Sequence, residues 1–178
     1  MKKIMLVIAT LLVCASSSKA QTGQAVADFI FTNSAVDVEG FRGMTHNRYI
    51  AAFTYAKDIT ISNDIANAGV LVTYDRCFTP HNSAEDQSDQ LTGGFTLKTS
   101  VYPLRHWNPT STFRLDIGAY EEAGTITSGQ NNGKPVNILG MYADWTYNSL
   151  EIGILYQNRT EDDFYAGNYI GAHIGWRF

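Results

Sequence analysis

Hydrophobic and polar residues alternate with period two along most of this chain, the signature of strands that bury one face and present the other to a different environment. The last segment is the clearest: Ile170, Ala172, Ile174, Trp176 and Phe178 share one face, while Tyr169, Gly171, His173, Gly175 and Arg177 share the other. Leu150, Ile152, Ile154 and Tyr156 oppose Glu151, Gly153, Leu155, Gln157 and Arg159. Leu139 to Tyr147, Phe113 to Tyr120, Gly94 to Val101 and Val70 to Asp75 repeat the pattern, and Tyr49 to Lys57 is a further strand candidate. Ala25 to Phe31 and Ala35 to Phe41 compete for the first strand.

Eight strands of about 11 residues fit the length with room for seven connections, and ten is the practical upper bound. Read back from the C-terminus, the connections alternate in character. Asn158 to Asp163 is polar, Asn148-Ser149 is tight, Glu121 to Pro135 is long, Pro103 to Pro109 is shorter, and Thr79 to Gln90 is long again. Long loops at one end and short turns at the other are expected, with Asp58 to Asn67 as the exception. The fold class expected is all-β, an eight-stranded antiparallel barrel.

The N-terminus departs from this pattern. Met1-Lys2-Lys3 is followed by an apolar stretch from Ile4 to Ala15, and Ser18-Lys19-Ala20 places small residues where a signal peptidase cuts. Residues 1–20 are therefore expected to be a signal peptide and 21–178 the barrel domain. The apolar stretch is short of the ~20 residues that a spanning helix needs. Leu11-Leu12-Val13-Cys14 loosely resembles a lipobox, with bulky Val13 against it.

Of the 178 residues, 44% are hydrophobic and 17% charged, with a formal charge of -4 that becomes -7 once Lys2, Lys3 and Lys19 are removed. No basic stripe is present, so nucleic acid is not an expected partner. Loss of Cys14 leaves Cys77 as the single cysteine of an exported chain, which excludes an intramolecular disulfide.

Alternation does not by itself say which face points inward. A soluble barrel hides its apolar face, whereas a membrane barrel turns it toward lipid. Three features favour the membrane arrangement. Gly94, Gly118, Gly140, Gly153, Gly171 and Gly175 recur on the polar face, where a crowded lumen can use the space. Tyr147, Trp107, Phe113, Trp176 and Phe178 gather at strand ends, as interfacial aromatics do. Eleven residues tilted ~40° rise about 28 Å, enough for an apolar bilayer band.

The ending Tyr169 to Phe178, with Ile170, Ile174, Trp176 and the final Phe178 in register, resembles the terminal assembly signal of outer-membrane β-barrel proteins. The remainder is similar in size and strand count to small OmpA/OmpX-type barrels. The resemblance implies export to the outer membrane of a Gram-negative bacterium, recognition by the barrel-assembly machinery, and outer-membrane lipid as the surrounding partner.

With the polar face inside, Asp144, Glu151, Arg177, Arg114 and Asp116 fall near one end of the barrel. Asp75, Lys98 and His173 complete the expected luminal polar set, with Asp75 and Lys98 on neighbouring strands at depths left open. Buried charges need partners, so acidic residues are expected to pair with Arg114 and Arg177. A structural plug and a narrow conduit are both compatible with this set.

His81-Asn82-Ser83 superficially resembles the His-x-Ser element of lipid A deacylases, but Ala84 follows where that family has Asn. His46, His106 and His173 have no metal-ligand spacing, and Glu161-Asp162-Asp163 reads as a solvated loop tip. The expectation is a non-enzymatic barrel with no metal and no cofactor, acting structurally or binding an unidentified extracellular ligand through its loops. A lipid A-modifying hydrolase and a soluble periplasmic ligand-binding barrel are the alternatives.

Overall fold

The structure, a computed structural model, describes residues 30, 32–45, 47–62, 66–80, 87–108, 110–129, 131–161 and 165–178. They form eight strands: β1 Ser34–Gly43, β2 Tyr49–Ser62, β3 Ala66–Phe78, β4 Ser88–Val101, β5 Arg114–Ile126, β6 Pro135–Tyr147, β7 Leu150–Glu161 and β8 Gly167–Arg177. Each pairs antiparallel with its sequence neighbours, and β1 pairs with β8 to close the barrel. Closure leaves no unpaired edge. Residues 1–20, where a signal peptide is expected, lie outside the described residues.

Ala35 to Phe41 supplies the first strand, pairing with both β2 and β8. Several strands run further than alternation suggested. β5 continues through Glu121 to Ile126 and β6 begins at Pro135, so most of the expected long loop is paired strand, with Thr125 opposite Pro135. β4 likewise begins at Ser88, and β2 runs to Ser62, which shortens the expected Asp58 to Asn67 turn. The longest connection, 102–113, lies at the end where the chain termini meet, contrary to the expected asymmetry of loop lengths. The two-residue turn at Asn148-Ser149 is as expected, and Asn148 takes a left-handed φ of 55° there.

The apolar face points outward. Ile152, Ile154, Ile170, Ile174, Val72, Phe95, Leu97, Ile117, Leu139 and Met141 are all exposed around the wall. Trp107, Tyr147, Trp176 and Phe178 lie exposed at the end bearing the termini. Soluble monomers rarely expose contiguous apolar patches larger than a few hundred Å².

The interior has two levels. Polar and charged side chains fill the end near the termini, and a second buried polar group with Asp75, Gln90 and Arg159 lies farther up. Toward the opposite end, Phe41, Ile50, Cys77, Ile126, Val136, Ile138 and Tyr169 form a buried apolar cap. The extra length of β5 and β6 builds this cap, because Ile126, Val136 and Ile138 continue the inward-facing positions of their strands.

Glycines on the inner face make room for large neighbours. A Cβ on Gly140 would overlap the Tyr120 ring, one on Gly118 the Tyr142 ring, and one on Gly153 both Asp144 and His173. Gly94 differs: its Cβ would strike the backbone of β5 at Glu121, so glycine there lets two strands approach closely.

Candidate functional site

The luminal charges form two groups at different depths. Near the termini, Arg114 on β5 donates to Asp116 Oδ2 from Nε at 3.0 Å and lies 2.8 Å away through Nη2. Arg177 on β8 donates from Nε to Glu151 Oε2 at 2.9 Å and also pairs with Asp58. Lys98 on β4 donates to the same Asp58 and lies 4.0 Å from Asp116. His173 Nε2 lies 2.8 Å from Asp144 Oδ1, and its Nδ1 lies 3.6 Å from Asp37 Oδ1. Seven strands thus contribute to one ion network around a pivot of Asp58, Glu151 and Arg177.

At the second level, Arg159 on β7 donates from Nη2 to Asp75 Oδ2 at 2.7 Å and also to Gln90. Tyr120 donates to Gln157 Oε1 at 3.1 Å, and Thr92 donates to Glu122. These bonds satisfy groups that would be costly to bury alone.

The expected pairing of Arg114 and Arg177 with carboxylates is present in this geometry. Asp116, Asp144, Glu151, His173 and Lys98 join the same network. Asp75 does not: it lies opposite Gln90 near the far end of β3, while Lys98 lies opposite Asn67 near its start. Asp75 therefore pairs with Arg159 across the lumen.

Sequence reasoning left out Asp37, Asp58 and Arg159 as site residues. Asp58 falls in a stretch read as a turn, and Asp37 in the strand whose position was ambiguous. Arg159 was placed on the polar face, but its partner is on a strand far away in sequence.

A cavity of about 60 Å³ lies between the two levels, lined by Asp37, Glu39, Asp58, Tyr120, Tyr142 and Glu151 among others. It holds a handful of water molecules rather than a sizeable solute. Leu71 and Leu155 form part of its wall, and the apolar cap closes the interior toward the far end. The arrangement can anchor strands to one another and accommodate small polar species.

His81 and Ser83 lie outside the described residues, as do Asp162 and Asp163. His106 is in the 102–113 connection, its ring edge against Trp107 at 5.5 Å. Arg105 in the same segment covers the Tyr102 ring at 3.5 Å. No family model, curated protein or solved structure matches this chain.

Proposed function

We propose that this chain is a non-enzymatic outer-membrane β-barrel of a Gram-negative bacterium, exported through a cleavable signal peptide and acting structurally or through its loops at the cell surface. The observation that carries this reading is the reversed sidedness of the barrel. Ile152 and Ile174 face outward and are half exposed, while Glu151 and His173 beside them in the alternation are buried. In water this arrangement loses the favourable transfer of apolar surface on one side and dehydrates charges on the other. In a bilayer the outer face contacts acyl chains, and Lys98, Arg114, Arg159 and Arg177 pair with carboxylates inside.

Aromatic side chains support the orientation. Trp107, Tyr147, Trp176 and Phe178 sit where a headgroup layer would meet the end bearing the termini. The described connecting residues 44–45, 47–48, 79–80, 87, 127–129, 131–134 and 165–166 then face the opposite side. Of these, the segment 127–129 is held to β4, with Thr127 N–H donating to Asp89 O at 2.7 Å and the Ser128 hydroxyl to Asp89 Oδ2 at 2.9 Å. It is a tethered surface element suited to presenting a fixed shape.

Cell fractionation with heat-modifiable gel migration tests the reading. The chain is expected in the detergent-extracted outer-membrane fraction and to change mobility on boiling. Recovery in the aqueous periplasmic fraction without detergent would refute it. Unchanged lipid A acylation in Ser83→Ala cells, with wild-type cells matching cells lacking the protein, is the outcome expected of a non-enzymatic barrel.

A further inference from the structure

We propose that Asp37, Glu151 and His173 form a site for one zinc-class divalent cation, which clasps β1, β7 and β8 together across the seam where the barrel closes. One ligand atom from each residue lies within 4.8 Å of the others, and all three residues are buried. A tetrahedral metal bound at ~2.0–2.1 Å spaces its ligand atoms about 3.4 Å apart. The 3.6 Å between Asp37 Oδ1 and His173 Nδ1 is already close to that.

Three further observations point to a cation. Asp37 Oδ1 is buried and accepts no hydrogen bond, although the Asp37 side chain is nine-tenths buried. An oxygen left in that condition is costly, and it faces the imidazole. On the other side of the ring, His173 Nε2 meets the Asp144 carboxylate at 2.8 Å. A carboxylate can only accept, so Nε2 carries the proton, and in the neutral ring the Nδ1 lone pair is left facing Asp37. A carboxylate that orients a histidine in this way is a recurrent outer partner of metal-bound imidazole.

The third observation is charge. Around the lower network and its cavity stand the carboxylates Asp37, Glu39, Asp58, Asp116, Asp144 and Glu151, against three permanent cations, Lys98, Arg114 and Arg177. Carboxylates outnumber the permanent cations at this level, which favours a positive ion there. The strand register places the ligands for it: Gly175 lies opposite Asp37 on one side and Glu151 on the other. With no side chain between them, the two carboxylates can face a common point; a Cβ on Gly175 would strike Asp37. One imidazole with two carboxylates suits zinc better than magnesium or calcium, which prefer all-oxygen sites. The ligands at 37, 151 and 173 are far apart in sequence, so linear spacing gives no hint of them.

The test uses the full chain folded in detergent, stripped with chelator and titrated with Zn²⁺ by calorimetry. His46, His81 and His106 are changed to Gln beforehand, which leaves His173 as the only imidazole. One Zn²⁺ per chain is expected, with affinity falling at least tenfold in Asp37→Asn and in His173→Gln, and with Mg²⁺ and Ca²⁺ much weaker. Heat-modifiable migration checks that each variant folds. If a variant does not fold, X-ray absorption of the Zn²⁺-loaded parent decides: one imidazole in a nitrogen/oxygen shell is expected. No stoichiometric uptake, a shell without imidazole, unchanged affinity in both folded variants, or equal binding of Mg²⁺ would each overturn the site. The inference stands on luminal geometry, so a soluble chain that still bound one Zn²⁺ would refute the membrane reading and leave the metal site intact.

Discussion

Arg159 and Asp75 meet across the barrel interior through a single 2.7 Å contact, with neither side chain more than 2% exposed. They come from β7 and β3, strands that do not pair with each other. Removing one partner of such a pair leaves a desolvated charge, which costs more than the pair contributes. Asp75→Ala is expected to destabilise the folded barrel by about 3–5 kcal/mol in denaturant titrations. Replacing both residues with apolar ones of similar volume is expected to recover most of that loss. A single variant that unfolds at the parent's midpoint would mean that solvent reaches Arg159.

An inward-facing and an outward-facing glycine give a contrast within one protein. A Cβ on Gly140 would enter the Tyr120 ring, whereas one on Gly40 meets nothing within 4 Å. Gly140→Ala is expected to cost about 1–3 kcal/mol through overpacking. Gly40→Ala is expected to be neutral or to stabilise by up to roughly 1 kcal/mol, since glycine is a poor strand residue. Equal effects at the two positions, read from unfolding midpoints, would mean that Tyr120 is free to move aside.

Legibility in the sequence followed the alternation. Where it was uninterrupted, as from Leu150 to Arg159 and from Asn168 to Phe178, strand, sidedness and the inward set of Glu151, His173 and Arg177 could all be read. It failed where a strand's polar face ran through turn-like composition. Asp58 lies beside Ile59 and Thr60 in a segment that resembles a connection, yet it pairs with Lys98 and Arg177. Ile126, Val136 and Ile138 were hidden by the glycine and asparagine between them, so the apolar cap was not foreseen. Partnerships such as Asp75 with Arg159 depend on how a closed barrel brings distant strands to one depth. No single strand carries that information.

Sidedness predicts where a charge can be tolerated. Ile154 is exposed on the outer wall and lies opposite Ala172, the midpoint of β8. In lipid bilayers Ile154→Arg is expected to cost about 2–4 kcal/mol, and Leu150→Arg, at the first position of β7, no more than about 1 kcal/mol. Reversible unfolding from vesicles measures both. A cost at Ile154 no greater than at Leu150 would place that position outside the apolar layer.

Cys77 reports on the cap. Its side chain has no exposed surface and is held among Ile50, Ile126 and the other apolar side chains at the end remote from the termini. Thiol reagents need access to the sulfur, and an apolar enclosure withholds it. Folded protein in detergent is therefore expected to resist a maleimide label at Cys77, and the same sample boiled in SDS to label fully. Ile126→Ala opens space beside the cap, so its folded form should label faster than the parent without a change in gel mobility. Rapid labelling of the folded parent would mean that the far end of the lumen is open to solvent, and a conducting pore would then become a serious reading of the barrel.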